Sequence, residues 1–352
     1  MAPAPLSLVA IGERVAISLT EFLDLEEKRW RDVEHELAAP FASLQHLLLA
    51  GGKRLRPAFC HWGYVGAGGD PANPQLVDAG AAFELLHAFA LFHDDVMDGS
   101  ATRRGNRTAH LVYADRHAEG EWLGEARRFG EGVAILIGDL AFVYSDQLLF
   151  DVNPEVRRIW NEMRIELNIG QYLDIVGTAQ SLRNRVGAER ISRYKSGKYT
   201  VERPLHLGAA LAAPERVDEL LPALSAYGLP LGDAFQLRDD VLGAFGTEAS
   251  TGKPVGDDLI EGKPTPLLAI ATARATTSQL ATLALVGRPG VGLDEVAAIQ
   301  AVLVDTGALA ELEASIARMA NDACGAIEQA PILDQAKHEL VELAHYVAWR
   351  DS

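Results

Sequence analysis

Phe92-His93-Asp94-Asp95-Val96-Met97-Asp98, followed five residues on by Arg103-Arg104-Gly105, is the stretch that decides how the rest of the chain reads. Carboxylates at i, i+1 and i+4 put Asp94 and Asp98 on one helical face with Asp95 beside them. A run of apolar residues leads into them, so the spacing predicts an apolar helix that ends in three negative charges. Asp at a helix C-terminus opposes the macrodipole, which makes the motif a poor choice as structure alone. Hard oxygen donors point to Mg²⁺, and Mg²⁺ held by a few carboxylates usually keeps its remaining sites for phosphate oxygens. The arginine pair downstream is placed to hold the same phosphates.

Composition narrows the fold class. Of 352 residues, 48% are apolar, enough for a large core without disulfides or metals. Alanine and leucine are abundant while aromatic and β-branched strand formers are fewer, which predicts an all-α protein. A formal net charge of −17 argues against nucleic-acid or anionic-membrane partners. Cys60 and Cys324 are far apart and in no metal-ligand spacing, so a reduced, cytoplasmic protein is expected. No signal peptide is expected, and no uninterrupted apolar run reaches the ~18 residues that span a bilayer.

Apolar spacing predicts helices over about 7–36, 76–97, 132–150, 154–182, 217–245 and most of 267–349. The helix over 132–150 reads as buried. Gly51-Gly52-Lys53-Arg54-Leu55-Arg56-Pro57 predicts a glycine turn opening a helix. The arginine pair is expected in a loop over 99–108. Pro204 is expected to kink the Tyr194–Thr200 segment, and Pro222 and Pro230 to interrupt the helix over 217–245. No solenoid-length repeat or low-complexity tract is present. One all-α domain spanning 1–352, a single large bundle around a central cavity, is expected.

A second acidic pair, Asp239-Asp240, ends another apolar stretch, Phe235-Gln236-Leu237-Arg238-Asp239-Asp240. Two such helix ends facing one cavity would clamp a diphosphate through metal ions from both sides. Lys53, Arg54 and Arg56 alone read as an exposed basic turn, but at a helix N-terminus they become a seat for phosphate. Lys195 and Lys253, taken singly, read as surface. His87 lies in the apolar helix, where a hydrogen-bonded core histidine is the plainer reading, and neither His87 nor His93 belongs to a metal-binding pair.

The ordered set Gly51-Gly52-Lys53, Arg56-Pro57, Asp94-Asp95, Asp98, Arg103-Arg104-Gly105, Gln171, Lys195, Phe235-Gln236, Asp239-Asp240, Gly252-Lys253 and Asp258-Leu259 resembles the trans-isoprenyl diphosphate synthases, the polyprenyl synthetase family. The resemblance covers residues 45–270 in motifs. It implies an all-helical homodimer that joins isopentenyl diphosphate to an allylic diphosphate with Mg²⁺. Asp94, Asp98 and Asp239 would be direct metal ligands, supported by Asp95 and Asp240. Arg103, Lys195 and Lys253 would hold the allylic diphosphate; Lys53, Arg56, Arg104 and His87 would hold isopentenyl diphosphate. Lys195, Ser196 and Gln236 would line the developing allylic cation.

Gly243 departs from that pattern, standing where the family commonly has a third Asp, with Asp257-Asp258 nearby to help; Ser196 replaces a common Thr. Phe89, five positions before Asp94 and next to the small Ala90, resembles the single aromatic block of the short-chain geranylgeranyl (C20) synthases. Farnesyl and longer-chain synthesis remain alternatives, as does a non-catalytic regulatory subunit, which Gly243 favours and the intact first motif opposes. A metal phosphohydrolase built on His93-Asp94 leaves Asp239-Asp240 without a role. A terpene cyclase does not need the second basic site.

Overall fold

In a computed structural model that describes residues 3–180, 184–246 and 255–350, helices dominate, as composition predicts. The chain divides into two compact units. One comprises Leu6–His61 and Asp70–Val152; the other comprises Met1–Pro5, Trp62–Gly69 and Asn153–Ser352.

The first unit is built on helix α4 (Pro74–Asp98). Asn73 caps its start by accepting from the Gln75 amide at 3.0 Å, and Pro74 occupies the first helical position, where its missing N–H costs nothing. Gly99 ends it at φ 66, the left-handed conformation that glycine takes without steric cost. The stop falls one residue after Asp98, so all three carboxylates sit in the last turn. Phe83, Leu85, Leu86 and Phe92 are almost fully buried on this helix; burial of each stabilises by roughly 2 kcal/mol. Helices α1 (Leu6–Arg31), α2 (Ala38–Leu49), α5 (Ala109–Glu119) and α6 (Ala126–Leu148) complete this unit's core, and the first part of α3 (Leu55–Gly66) also belongs to the unit.

Helix α4 has an 18-residue window apolar enough to cross a bilayer, contrary to the expectation from uninterrupted apolar runs; 61% of that window is buried inside the fold. Its apolarity is that of a core helix. The prediction of a buried second helix holds for one face of α6 only: Ala134, Ile137 and Ala141 are buried, while Ile135, Leu136 and Val143 are exposed. The predicted loop after α4 is a two-stranded hairpin, β1 (Thr102–Arg103) with β2 (Asn106–Arg107). Arg104 and Gly105 both have positive φ, as the tight turn of such a hairpin requires.

In the second unit α7 (Pro154–Ala179) and α8 (Arg185–Ser192) precede a π-helical segment, Arg193–Glu202, which runs straight into α9 (Arg203–Ala212). At the junction the Arg203 amide reaches Lys198 O, five residues back. Wider turns of this kind make room for a ring such as that of Pro204, which sits at the switch from π-helical to α-helical turns. Helix α10 (Val217–Phe245) also continues through Pro222 and Pro230. Leu220, Leu224, Tyr227 and Leu231 are completely buried around those prolines, and this packing outweighs the lost backbone bonds. Helix Ala308–Glu328 packs along α10. A cluster including Leu237, Val241, Leu267, Ile299, Leu303 and Ile316 forms the core there.

Candidate active site

The first acidic motif is a partly neutralised helix end. Asp95 is buried, and Arg103 in β1 donates to its Oδ1 from Nε at 2.9 Å and from Nη2 at 2.5 Å. The same Nη2 lies 3.5 Å from Asp94 Oδ2. Gly99 and the short hairpin fold the chain back so that a residue eight positions on can make this clamp. Three carboxylates and the negative pole of the helix still outweigh one guanidinium, which leaves a place for a cation.

A basic cluster sits in the same unit. Arg54, which carries a positive φ of 50, turns inward to the buried Glu84 carboxylate and Leu48 O. Arg104 donates to Leu47 O at 3.0 Å and to Gly51 O. With Leu47, Leu48, His87, Ala88 and Leu91 these groups line a small pocket. Burial chiefly, then the charges of Arg56, Arg104, Arg103 and Arg54, hold the His87 imidazole well below its usual range. His87 is therefore neutral at pH 7 and able to donate from one ring nitrogen. Lys53 and Arg56 are half-buried at the start of α3.

Phe89 stacks in this unit against His93, with ring centres 4.6 Å apart, and against Phe142 of α6 at 4.8 Å. Ala90, its neighbour, is half-buried.

The second acidic pair lies within the last turns of α10 rather than at its tip. Asp240 is buried, and Gln236 donates to its Oδ1 at 2.9 Å. Its Oδ2 has no hydrogen-bond partner among the described residues. Burial first, then the neighbouring Asp258, Asp239 and Asp174 charges, push its carboxyl well above the ordinary range, against the bond from Gln236. Asp239 is met by Arg350 from the far end of the chain, and that guanidinium also stacks 4.4 Å from the Phe235 ring centre. Lys195 donates to Asp174 at 2.5 Å, and Ser196 follows it in the π-helical segment, half-buried. Lys253 lies outside the described residues.

A buried carboxylate oxygen left without a donor beside other carboxylates suits a hard divalent cation, because all the donors are oxygens. The residues therefore fit Mg²⁺.

Within each unit the structure brings predicted residues together: Asp94, Asp95 and Arg103; His87, Arg56 and Arg104; Gln236, Asp239 and Asp240. Several contributors were missed. Glu84 could have been found as a lone carboxylate inside an apolar helix. Phe142, Asp174 and Arg350 carried no local signal, since each acts on a group more than twenty residues away in sequence.

Comparison with known proteins agrees with this geometry. The polyprenyl synthetase family model matches residues 40–302. The geranylfarnesyl diphosphate synthase of Aeropyrum pernix is 30% identical over 307 residues, covering 85% of this chain and 90% of its own. Component 2 of the heptaprenyl diphosphate synthase of Geobacillus stearothermophilus is 30% identical, covering 93% of this chain and 95% of its own. A crystal structure of geranylgeranyl pyrophosphate synthase from Corynebacterium glutamicum, complexed with isoprenyl diphosphate and magnesium, superposes with a TM-score of 0.91 at 36% identity, covering 97% of this chain and 99% of that one. The all-helical fold, the ordered motifs and these matches agree that the chain belongs to the polyprenyl synthetase family and is a prenyltransferase, a trans-isoprenyl diphosphate synthase.

Proposed function

We propose that this enzyme makes geranylgeranyl (C20) diphosphate by Mg²⁺-dependent, head-to-tail addition of isopentenyl diphosphate to allylic diphosphates. The observation that carries the two-substrate reading is the presence, in one unit, of an all-carboxylate helix end beside a separate guanidinium-lined pocket. An acidic site and a basic site serve two differently bound diphosphates.

In this reading Asp94, Asp98 and Asp239 hold the metal, with Asp95 and Asp240 behind them. Mg²⁺ held by these carboxylates would supply the positive charge that stabilises the departing diphosphate. Arg103, Lys195 and Lys253 hold that diphosphate, and Arg103 is already oriented by Asp95 before substrate arrives, which lowers the reorganisation needed. Lys53, Arg56, Arg104 and neutral His87 hold isopentenyl diphosphate. The allylic C–O bond breaks with its electron pair leaving on pyrophosphate. Lys195 and Ser196, through their carbonyls, and Gln236, through its side-chain dipole, line the allylic cation. The isopentenyl double bond then attacks C1, and the proton lost from the adduct passes to pyrophosphate, so no separate protein base is needed.

Phe89 supports the C20 assignment. One aromatic block, stacked on Phe142, stands before Asp94, and its neighbour Ala90 is small. The family match crosses both units, which supports a single functional domain over 1–352. Exposed Ile135, Leu136 and Val143 on α6 and Ile165, Ile169 and Ile175 on α7 support a homodimer. The low cysteine count and the buried Cys60 support a reduced, cytoplasmic setting.

The test is a product assay with Mg²⁺, isopentenyl diphosphate and dimethylallyl, geranyl or farnesyl diphosphate. A C20 product with pyrophosphate release is expected; no condensation with any primer sinks the reading. Phe89→Ala should shift products to longer chains. An unchanged distribution would remove Phe89 from chain-length control.

A further inference from the structure

We infer that Glu166 is a positioning residue for the reaction: by holding Lys198 and Arg203 together, its buried carboxylate selects the π-helical form of Arg193–Glu202 and so sets the direction of Lys195 and Ser196. The inference rests on the roles proposed above for Lys195 and Ser196 at the allylic diphosphate and cation, and says what holds them in place.

Lys198 and Arg203 are five residues apart. In an α-helix that spacing puts two side chains about 140° apart around the axis, on different faces. Here the Arg203 amide donates to Lys198 O, the five-residue bond of a π turn, and both side chains reach one carboxylate. Lys198 Nζ donates to Glu166 Oε1; Arg203 donates from Nη2 to the same oxygen at 2.7 Å and from Nε to Oε2 at 2.7 Å. Glu166 is only 6% exposed. Relaxation to α turns would draw one of the two cations off and leave a buried charge without its partner.

The surroundings favour this reading over a plain stabilising pair. Glu202 is also buried; its Oε2 lies 3.9 Å from Lys198 Nζ, and its Oε1 accepts from Ser225 Oγ of α10 at 2.7 Å. Glu162 adds its charge at Arg203. Burial raises the Glu166 carboxyl, but the bonds from Arg203 and Lys198 outweigh it and hold the group below its ordinary range. Burying such a cluster is a poor route to stability, since apolar side chains of similar volume often serve as well or better. What it gains is geometry, because only the wider turn satisfies it.

The same face of α7 carries that geometry to Lys195. Glu166, Gly170 and Asp174 follow one another at four-residue spacing. A Cβ on Gly170 would lie 2.3 Å from Lys195 N and 2.6 Å from its Cα, so α7 rests directly on the backbone there. Asp174 accepts from Lys195 Nζ at 2.5 Å. Towards α10, a Cβ on Gly232 would lie 2.5 Å from Gly197 O. With residues 195 and 197 packed this closely, a change of turn type at Lys198 is passed on to Ser196.

The test is steady-state kinetics of the full chain with Mg²⁺, geranyl diphosphate and isopentenyl diphosphate. In Glu166→Gln kcat should fall about ten- to hundredfold, the scale of a small displacement at a reacting centre. KM for isopentenyl diphosphate should stay near the parental value, because no residue assigned to that substrate belongs to the cluster. Circular dichroism at the assay temperature checks folding; if Glu166→Gln does not fold, Glu166→Asp keeps the charge on a shorter arm and should lower kcat in the same way. The cycle with Lys195→Ala separates positioning from bulk stability: the double variant should lose far less than the product of the two single losses. Losses that multiply overturn the inference, as does parental kcat in a folded Glu166 variant. Parental kcat in Lys195→Ala overturns instead the role of Lys195 on which the inference rests.

Discussion

The two acidic motifs look alike in sequence and are neutralised in opposite ways. Asp94, Asp95 and Asp98 end α4, and their counter-charge, Arg103, comes from eight residues beyond Asp95 through a short hairpin. Asp239 and Asp240 lie inside the last turns of α10. Among the described residues, the guanidinium on Asp239 comes from Arg350, over a hundred residues away, and Asp240 meets the Gln236 amide and the charges of other carboxylates. A locally neutralised motif can be pre-shaped before ligand arrives. One surrounded by more negative charge depends on a cation from solution to settle. Under the proposed function the pair would divide the work: the first motif would set geometry, and the second would set metal demand.

The sharpest way to break this division is to remove one ligand from each side. Asp94→Ala should lower kcat by roughly 10²- to 10³-fold, the scale of losing one preorganised electrostatic group, and Asp239→Ala should do the same in a steady-state pyrophosphate-release assay. If Asp239→Ala keeps near-parental turnover, the second motif is dispensable and the comparison fails. The next effect is on stability. Arg103→Gln leaves the buried Asp95 without its partner and should cost about 3 kcal/mol in metal-free denaturant unfolding, as breaking a buried ion pair does. Added Mg²⁺ should return part of that loss; no recovery would separate Arg103–Asp95 from the metal site.

The smallest effect concerns His87. Its folded-state pKa lies well below the ordinary 6.5, through burial and the surrounding arginines. The unfolded chain takes up a proton there that the folded protein refuses. Its contribution to stability is therefore present above pH 6.5 and is lost as pH falls below that value. Between pH 7 and pH 5 the melting temperature should drop by a few degrees more in the parent than in His87→Gln. Equal slopes would show that His87 is not shielded in this way.

Much of the fold was legible from periodicity and caps. Asn73-Pro74 and Gly99 bracket α4 to within two residues of the range read from apolar spacing, because capping and left-handed glycine are local physics. Pro222 and Pro230 do not interrupt α10, because local propensity yields when the surrounding side chains are buried on all sides. The hairpin at Arg103-Arg104-Gly105 is indistinguishable from a loop in the sequence, since two-residue strands carry no alternation to detect. Within the candidate site, Asp94, Asp95, Asp98, Asp239 and Asp240 declared themselves by charge set against apolar surroundings. Their partners Arg103 and Gln236 lay near enough in sequence to be named with them, whereas Asp174 and Arg350 did not.

By itself, then, the sequence determined the helical class, the family and the chemical type of the donor groups. These depend on residue identity and short spacing, which any conformation of the chain preserves. Only the tertiary structure decided which charge meets which: Arg350 on Asp239, Lys195 on Asp174, and Lys198 with Arg203 on Glu166. Coulomb energy depends on distance through space, and distance along the chain does not report it.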